Sequence, residues 1–225
     1  MTKNNGYGVI WDVDGTLVDT ATQHFAAWKR LAQDLHSDFS AAQFAATFGR
    51  RNPEIIREIF GQDFSEVDID RLGLQKETYY RADAQAIGVQ LLPGVLDLLK
   101  QLQIAGFQQA IGSSAPRGNL DLLLDLTQIE AYFETSVAME DTTRGKPDPQ
   151  VFLIAAARLG LEPARCVVME DAPAGIEAAK AGGMVAIGIT FVGHHTTARL
   201  QAAGADLVVR TLTEVSPHTI RQLLA

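Results

Sequence analysis

Two carboxylates separated by a single residue follow the first apolar run of the chain. The run is YGVIW, and the acids are Asp12 and Asp14 within DVDGT. A carboxylate can attack phosphorus to give a mixed anhydride. Two acids beside a phosphate dianion repel each other strongly unless a divalent cation bridges them. The motif therefore points to phosphoryl chemistry at a site that requires a metal ion.

A second acidic pair, Glu170 and Asp171, directly follows the strand-like run RCVVM. Magnesium prefers hard oxygen ligands and retains several waters, so Asp12, a nearby backbone carbonyl and one distant acid would suffice to hold it. The pair at the end of another strand supplies that distant acid. We therefore expect Mg²⁺ as the cofactor.

A phosphoryl group in transit also needs hydrogen-bond donors and a cation on its nonbridging oxygens. Ser113 ends the run FQQAIG, and Lys146 precedes Pro147 on a loop before a predicted helix. Both residue types suit these tasks, and both lie at predicted strand ends. Four loops with complementary chemistry are thus expected to converge.

The elements that must position these residues alternate between short apolar runs and segments with helical spacing. This rhythm is typical of a parallel sheet covered by helices, and predicts an α/β fold with a Rossmann-like parallel sheet core. Pro93 is predicted to open one helix and Asp148-Pro149 to begin another. The segment after Arg210 reads as an ordinary helix. The predicted strands are YGVIW, FQQAIGSS, FETSVAM, RCVVMED, MVAIGIT and DLVV.

The stretch from residue 21 to residue 91 interrupts this rhythm, because its segments have helical spacing with no clear strand between them. It is predicted to be an inserted all-helical cap domain, 21–91, on a core formed by 1–20 and 92–225. Both crossings lie close to strand ends, where an α/β sheet places its active site. A movable cap over that site is the natural interpretation.

The composition limits the partners. Lys+Arg 19 against Asp+Glu 27 give a formal net charge of −8, which opposes attraction to nucleic acid and to anionic membranes. The single cysteine, Cys166, fits a reducing cytoplasm, and no apolar run approaches the length that spans a bilayer. The expectation is a cytoplasmic protein that acts on a small phosphorylated metabolite. The oligomeric state is not predicted.

The order and spacing of these motifs resemble the haloacid dehalogenase-like superfamily. The four motifs of that family appear as DVDGT, the serine at the end of AIGSS, the lysine of GKPDP and the acidic pair of MEDAPAG. The resemblance extends over essentially the whole chain, including the helical cap after the first motif. It implies phosphoryl transfer through an aspartyl-phosphate.

Carried over residue by residue, the resemblance makes Asp12 the nucleophile and Asp14 the general acid and base. Ser113, with Ser114 beside it, and Lys146 would hold the phosphate. The magnesium ligands would come from the two acidic pairs, Asp12 with Asp14 and Glu170 with Asp171. For any one of these acids alone, a solvated or capping carboxylate is the alternative interpretation.

The segment DTATQHFAAWKRLA resembles the β-phosphoglucomutase-like branch, where a histidine and a tryptophan stand in this arrangement at the cap hinge. His24 would couple cap closure to Asp14, and Trp28 would lie on the same helical face. Lys76 matches a cap lysine that reaches the crevice in relatives. For all three, the alternative is a residue of the packed or solvated helix surface.

Two features depart from that branch. An arginine expected to bind the distal phosphate of the substrate aligns with Asn52, so that Arg50 or Arg51 would have to replace it. The loop SSAPRGN also lacks the usual serine, lysine and asparagine run.

Four aromatic residues of the cap and a histidine pair receive no functional role. The aromatic residues have helix-core spacing and are predicted to pack the cap: Phe25, Phe44, Phe48 and Phe60. The adjacent histidines His194 and His195 are predicted to lie in a loop rather than to bind metal, because adjacent side chains point apart.

The leading interpretation is a magnesium-dependent phosphatase that hydrolyses a small sugar-phosphate-like monoester. The alternative is a β-phosphoglucomutase, which interconverts β-glucose 1-phosphate and glucose 6-phosphate with the same chemical groups. A dehalogenase would not need Asp14, a metal or the pair Glu170-Asp171. A binding protein without catalysis would not need the intact motifs.

Overall fold

A computed structural model describes residues 6–61 and 63–225 of the chain. Its sheet has six parallel strands in the order β3-β2-β1-β4-β5-β6. All six predicted strands are present, and β1 lies between β2 and β4. The strands are β1 Gly8–Trp11, β2 Gln108–Gly112, β3 Thr135–Val137, β4 Cys166–Glu170, β5 Val185–Ile189 and β6 Leu207–Val209.

Ten α-helices cover the sheet and form the insertion within the described residues. They are α1 Ala21–Asp34, α2 Ala41–Thr47, α3 Asn52–Phe60, α4 Glu66–Ile87, α5 Val95–Ile104, α6 Arg117–Thr127, α7 Gln150–Leu159, α8 Pro173–Ala181, α9 Thr197–Ala202 and α10 Pro217–Leu223. None of these helices has the length and hydrophobicity needed to cross a bilayer.

Two hydrophobic layers sandwich the sheet, because successive side chains of a strand point to opposite faces. In β1, Val9 and Trp11 are buried in the layer that includes residues of α5, α6 and α10. Ile10 between them is buried in the opposite layer, with residues of α7, α8 and α9. A strand buried on both faces explains the continuous apolar run that begins the sequence pattern.

The helices α1 to α4 pack around a separate core, so the fold is a Rossmann-like parallel sheet with an inserted helical cap. Trp28, Phe39 and Ile56 lie at the centre of the cap core. The two chain crossings pair with each other, since the N–H of Leu92 donates to the carbonyl of Leu17 at 2.9 Å. The domain ranges 1–20 with 92–225 and 21–91 stay a prediction, and residues 1–5 and 62 lie outside the described residues.

Two predicted helix boundaries are wrong. The helix α5 begins at Val95, two residues after Pro93, because the N-cap residue Gly94 has a left-handed conformation with φ of 87°. The segment after Arg210 is not one helix: a 3-10 turn, Leu212–Glu214, precedes α10. Ser216 caps α10 and Pro217 is its first residue, so the helix cannot extend backwards.

Gly94 and Gly106, at the two ends of α5, form a matched pair for a stability test. Both have positive φ, of 87° and 79°. A Cβ at Gly94 would lie 2.5 Å from the backbone nitrogen of Thr213, whereas one at Gly106 would meet nothing within 4 Å. The two sites thus share backbone strain but differ in steric overlap.

We predict that Gly106→Ala lowers the free energy of unfolding by about 1–2 kcal/mol through left-handed strain alone. Gly94→Ala should lower it by about 3 kcal/mol or more, because overpacking adds to that strain. Urea unfolding of the two variants beside the wild type measures both values. Equal losses would show that the contact between α5 and Thr213 does not constrain the fold.

Candidate active site

The residues singled out in the sequence meet at one edge of the sheet. Asp12 directly follows β1, Ser113 follows β2, and Glu170 ends β4 with Asp171 after it. The carboxyl ends of parallel strands meet at the same edge, so three neighbouring strands deliver these side chains to one crevice. Lys146 reaches the same place from the loop between β3 and α7.

Lys146 is buried between two carboxylates. Its Nζ donates to Asp12 Oδ1 at 2.6 Å and to Glu170 Oε1 at 2.7 Å. Burial acts to lower the pKa of Lys146, but Asp12 and Glu170 outweigh it and raise the pKa above its usual value. The side chain of Lys146 is therefore a charged ammonium at neutral pH. The other oxygen of Asp12, Oδ2, has no hydrogen-bond partner among the described residues.

Three buried carboxylates form a candidate metal site, because one oxygen from each of Asp12, Glu170 and Asp171 lies within 4.8 Å of the others. Burial and the neighbouring Glu170 raise the pKa of Asp12 to about 7, despite the opposing charge of Lys146. Burial, Glu170 and Asp12 likewise raise the pKa of Asp171. One ammonium does not balance three carboxylates, and a hard divalent cation such as Mg²⁺ fits this oxygen donor set.

A close approach of the first loop to Asp171 supports this arrangement. Gly15 has φ of 86°, and a Cβ there would lie 2.1 Å from Asp171 Oδ2. The glycine of DVDGT thus leaves the space that the carboxylate of Asp171 occupies. The side chain of Asp14 lies outside the three-carboxylate group and contacts other partners, so ligation by Asp14 through its backbone carbonyl stays a prediction.

Asp14 contacts the cap through a chain of polar groups. Its Oδ1 accepts from Thr20 Oγ1 and lies 3.3 Å from His24 Nε2. His24 Nδ1 lies 2.7 Å from Lys76 Nζ. An ammonium can only donate, so Nδ1 accepts and the ring proton is on Nε2, facing Asp14.

The environment of Asp14 favours its ionised form. Burial acts to raise the pKa of Asp14, but His24 and Thr20 outweigh burial and lower it. The His24 ring is stacked on Tyr80 at 3.9 Å between centroids with an angle of 9°, which fixes its orientation. Asp14 and His24 are thus held together where the cap meets the core.

Ser113 and Ser114 line the same cavity, on the loop after β2. The Oγ of Ser113 accepts from the N–H of Ala115 at 3.0 Å, which leaves its hydroxyl proton free to donate. Trp28 also lines the cavity, and its ring lies 5.2 Å from Lys76 Nζ. Ser113, Ser114 and Trp28 thus lie around one cavity, and their role in binding phosphate or substrate stays a prediction.

The cavity between core and cap has a volume of about 50 Å³. Residues of the cap, such as Phe48 and Lys76, and residues of the core, such as Asp12 and Ser113, line it together. The cap thus lies against the acidic edge of the sheet, and we call this arrangement closed.

Neither of the two candidate arginines directs its guanidinium freely into the cavity. Arg50 lines the cavity, but its guanidinium bonds to Glu54 at 3.4 Å and to Glu58 at 2.7 Å. Arg51 reaches the core instead, where it donates to the carbonyl of Thr142 at 3.0 Å and also contacts the hydroxyl of Thr142.

Several cavity residues were not singled out as functional in the sequence. Glu77 and Asn119 are buried in the wall, and Thr47, Phe44 and Phe48 contribute further surface. Glu77 directly follows Lys76, and this adjacent charged pair was the only signal for it. A buried carboxylate cannot be told from a solvated one by helical spacing.

The aromatic residues and histidines that were given no role belong partly to this wall. Phe44 and Phe48 pack in the cap core as predicted and also line the cavity. The ring of His194, in the loop after β5, lies 5.6 Å from Phe44 and 4.8 Å from Phe48. His194 therefore contributes to the contact between core and cap.

The Rossmann-like sheet carries a helical cap over a buried acidic site, and this combination indicates the family of the protein. Residues 9–189 match the haloacid dehalogenase-like hydrolase family, and the chain belongs to that family. This confirms the resemblance stated from the motifs.

Relatives that match over most of the chain include a phosphoglucomutase and phosphatases. The β-phosphoglucomutase of Bacillus subtilis is 33% identical over 220 residues, covering 95% of this chain and 93% of the relative. The fructose-1-phosphate phosphatase of Escherichia coli is 30% identical, covering 82% of this chain and 97% of the relative. Validoxylamine A 7'-phosphate phosphatase of Streptomyces hygroscopicus is 30% identical, covering 93% and 96%.

Solved structures agree with these relatives. A β-phosphoglucomutase from Clostridium difficile has a TM-score of 0.87 at 26% identity, covering 97% of both chains. A haloacid dehalogenase-like hydrolase from Entamoeba histolytica has a TM-score of 0.89 at 27% identity, covering 97% of this chain and 99% of that one. The similarity includes the cap as well as the core.

The buried carboxylate of Glu77 makes the free energy of unfolding depend on pH. Burial acts to raise its pKa, but Lys76, His24 and the amides of Asn119 and Asn52 outweigh burial and lower the pKa from 4.5 to about 2. Because the folded-state pKa is below the unfolded one, the stabilisation is present above about pH 4.5 and is lost as the pH falls towards about 2.

We predict that ionisation of Glu77 contributes about 3 kcal/mol to folding at neutral pH, and that the advantage of the wild type over Glu77→Gln narrows as the pH falls. Urea unfolding between about pH 6 and about pH 3 measures this difference. Asp83→Asn, on the same helix but without a hydrogen bond or ion pair among the described residues, is the control. A constant difference across this range would mean that Glu77 is not held as an anion.

Proposed function

We propose that this protein is a magnesium-dependent phosphatase that hydrolyses a small sugar-phosphate-like monoester through an aspartyl-phosphate on Asp12. The observation that carries the proposal is the position of Asp12. One of its oxygens is held by Lys146, and the other is free at the wall of a closed cavity that Asp14 and Ser113 also line. Phosphatases of sugar phosphates among the relatives support the substrate class.

In the first step, Asp12 Oδ2 attacks phosphorus and the ester oxygen leaves with a proton from Asp14. Lys146 and the hydroxyl of Ser113 bind nonbridging oxygens of the phosphoryl group. Mg²⁺, held by Asp12, Glu170 and Asp171, would supply positive charge that offsets repulsion between the carboxylate and the phosphate. The hydrogen bond from Lys146 fixes the orientation of the Asp12 carboxylate for this attack.

In the second step, Asp14 removes a proton from water, which attacks the aspartyl-phosphate and regenerates Asp12. The ionised Asp14 of the closed structure has the protonation state that this step requires. The first step requires the protonated form. Opening of the cap favours protonation of Asp14. His24 lies on α1 of the cap, so its Nε2 donor, which stabilises the ionised carboxylate, then moves away from Asp14.

A β-phosphoglucomutase is the second candidate. The 33% identity to the Bacillus subtilis enzyme and the contact between His24 and Asp14 favour it. In a mutase, a second phosphate must be gripped by the cap so that a sugar hydroxyl, rather than water, is the oriented acceptor.

The partners of the two arginines favour hydrolysis over the mutase reaction. Arg50 is paired with Glu54 and Glu58, and Arg51 is bonded to the loop around Thr142. Asn52, at the position where the branch has its arginine, is uncharged. A second phosphate would thus have to compete with Glu54 and Glu58 for Arg50, and would find Nη2 of Arg51 bonded to the loop around Thr142.

We predict that chelation abolishes phosphate release and that Mg²⁺ restores it, because the buried acids and the substrate phosphate repel one another without it. Mg²⁺ should also raise the thermal midpoint of the wild type, since it binds only the folded state. Asp171→Asn should lose most of this shift, whereas Asp97→Asn, exposed on α5, should keep it. Equal shifts in the two variants would place the metal elsewhere.

The two candidate functions are separated by the fate of the phosphoryl group. With β-glucose 1-phosphate, a trace of glucose 1,6-bisphosphate and Mg²⁺, we expect inorganic phosphate to exceed glucose 6-phosphate. The reason is that water at about 55 M competes with a sugar hydroxyl that the cap does not orient. Predominant glucose 6-phosphate, reduced in Arg50→Ala or Arg51→Ala, would establish the mutase instead.

A further inference from the structure

The cavity wall includes one buried carboxylate of the cap, that of Glu77. Glu77 Oε1 accepts from Asn52 Nδ2 at 2.6 Å and from Lys76 Nζ at 2.9 Å. Its Oε2 accepts from Asn119 Nδ2 at 2.5 Å. Asn119 lies on the core helix α6, so this carboxylate joins the cap to the core when the cavity is closed.

The orientation of the two amides follows from the charge of Glu77. An ionised carboxylate only accepts hydrogen bonds, so both asparagines must point their NH₂ groups at it. Asn119 Oδ1 accepts from Arg81 at 3.1 Å, whereas Asn52 Oδ1 has no partner among the described residues. Both amides thus donate to Glu77, and of their two oxygens only Oδ1 of Asn52 remains available as an acceptor.

A second cavity lies behind the same wall. It has a volume of about 170 Å³, and Asn52, Glu77 and Pro116 line both cavities. Its other charged lining residues are Asp70, Glu140 and Arg81. With Glu77, three carboxylates face one guanidinium there. A substrate that extends past Glu77 therefore meets an acidic chamber as well.

We propose that Glu77, held between Asn52 and Asn119, is a specificity-determining residue that selects phosphomonoesters whose far end carries neutral hydroxyl groups and rejects a second anionic group. The ammonium of Lys76 is already bonded to Glu77 and His24. Hydroxyls can donate to Oε2 of Glu77 and Oδ1 of Asn52, whereas a second phosphate or carboxylate offers only acceptors and negative charge. The proposal rests on the function proposed above and names the substrate class of the same site.

Binding to catalytically disabled protein tests the proposal without turnover. Calorimetry on Asp12→Asn protein with Mg²⁺ gives the Kd of fructose 1-phosphate and of fructose 1,6-bisphosphate, which differ in one distal phosphate. We expect the monophosphate to bind at least about 10-fold more tightly, since the carboxylate of Glu77 repels a second negative charge. Adding Glu77→Gln should shrink the ratio to below about 3-fold, because the anion is removed while the shape is kept.

Two further variants, both made in the Asp12→Asn protein, test whether the charge at Glu77 sets the binding ratio. Asp83→Asn removes the same charge from α4 outside both cavities and should leave the ratio unchanged. Asn52→Arg places a guanidinium beside Glu77, with the second cavity as space for it, and should tighten binding of the bisphosphate by about 10-fold.

A bisphosphate that binds as tightly as the monophosphate, or a ratio that Glu77→Gln does not change, overturns the specificity proposal. The comparison of monophosphate with bisphosphate needs only the Asp12→Asn protein, so it can overturn the proposal even if Glu77→Gln does not fold. Failure of the proposed function is a different result: wild-type protein with Mg²⁺ would release no phosphate from the monophosphate or from any other ester.

Discussion

The ammonium of Lys146 lies between Asp12 and Glu170 at 2.6 and 2.7 Å, and the arrangement of the site follows from this charge balance. Strands β1 and β4 bring three carboxylates to one buried edge, where their mutual repulsion would otherwise oppose folding. One lysine offsets part of it and holds one oxygen of Asp12, so the other remains available. The residual negative charge of the three carboxylates makes this edge suitable for a divalent cation.

A second buried lysine gives the cap a related arrangement. Lys76 lies between His24 and Glu77, and through His24 it is connected to Asp14. The two lysines thus hold Asp12, the proposed nucleophile, in the core and connect to Asp14, the proposed acid and base, at the boundary with the cap. Because Glu77 is also bonded to Asn119 of the core, this polar chain joins the cap to the core in this structure.

The sequence predicted the core better than the far side of the site. Strands and their terminal acids follow from short apolar runs and from the rule that parallel strands meet at one edge, which located Asp12, Ser113 and the pair at Glu170. The wall formed by Asn52, Glu77 and Asn119 joins residues from α3, α4 and α6, and no local spacing encodes such a tertiary contact. For the same reason, the ion pairs of Arg50 and the contact of Arg51 with Thr142 were not foreseen.

Phosphorylation of Asp12 can be measured most directly in an Asp14→Asn protein. With Mg²⁺ and p-nitrophenyl phosphate, whose leaving group needs no proton, the first step should proceed while the second is slowed by loss of the base. Acid quenching, borohydride reduction and peptide mass spectrometry should then find homoserine at position 12 in place of the aspartate. Release of p-nitrophenol with an unmodified Asp12, or with the phosphoryl group on another residue, would contradict the account.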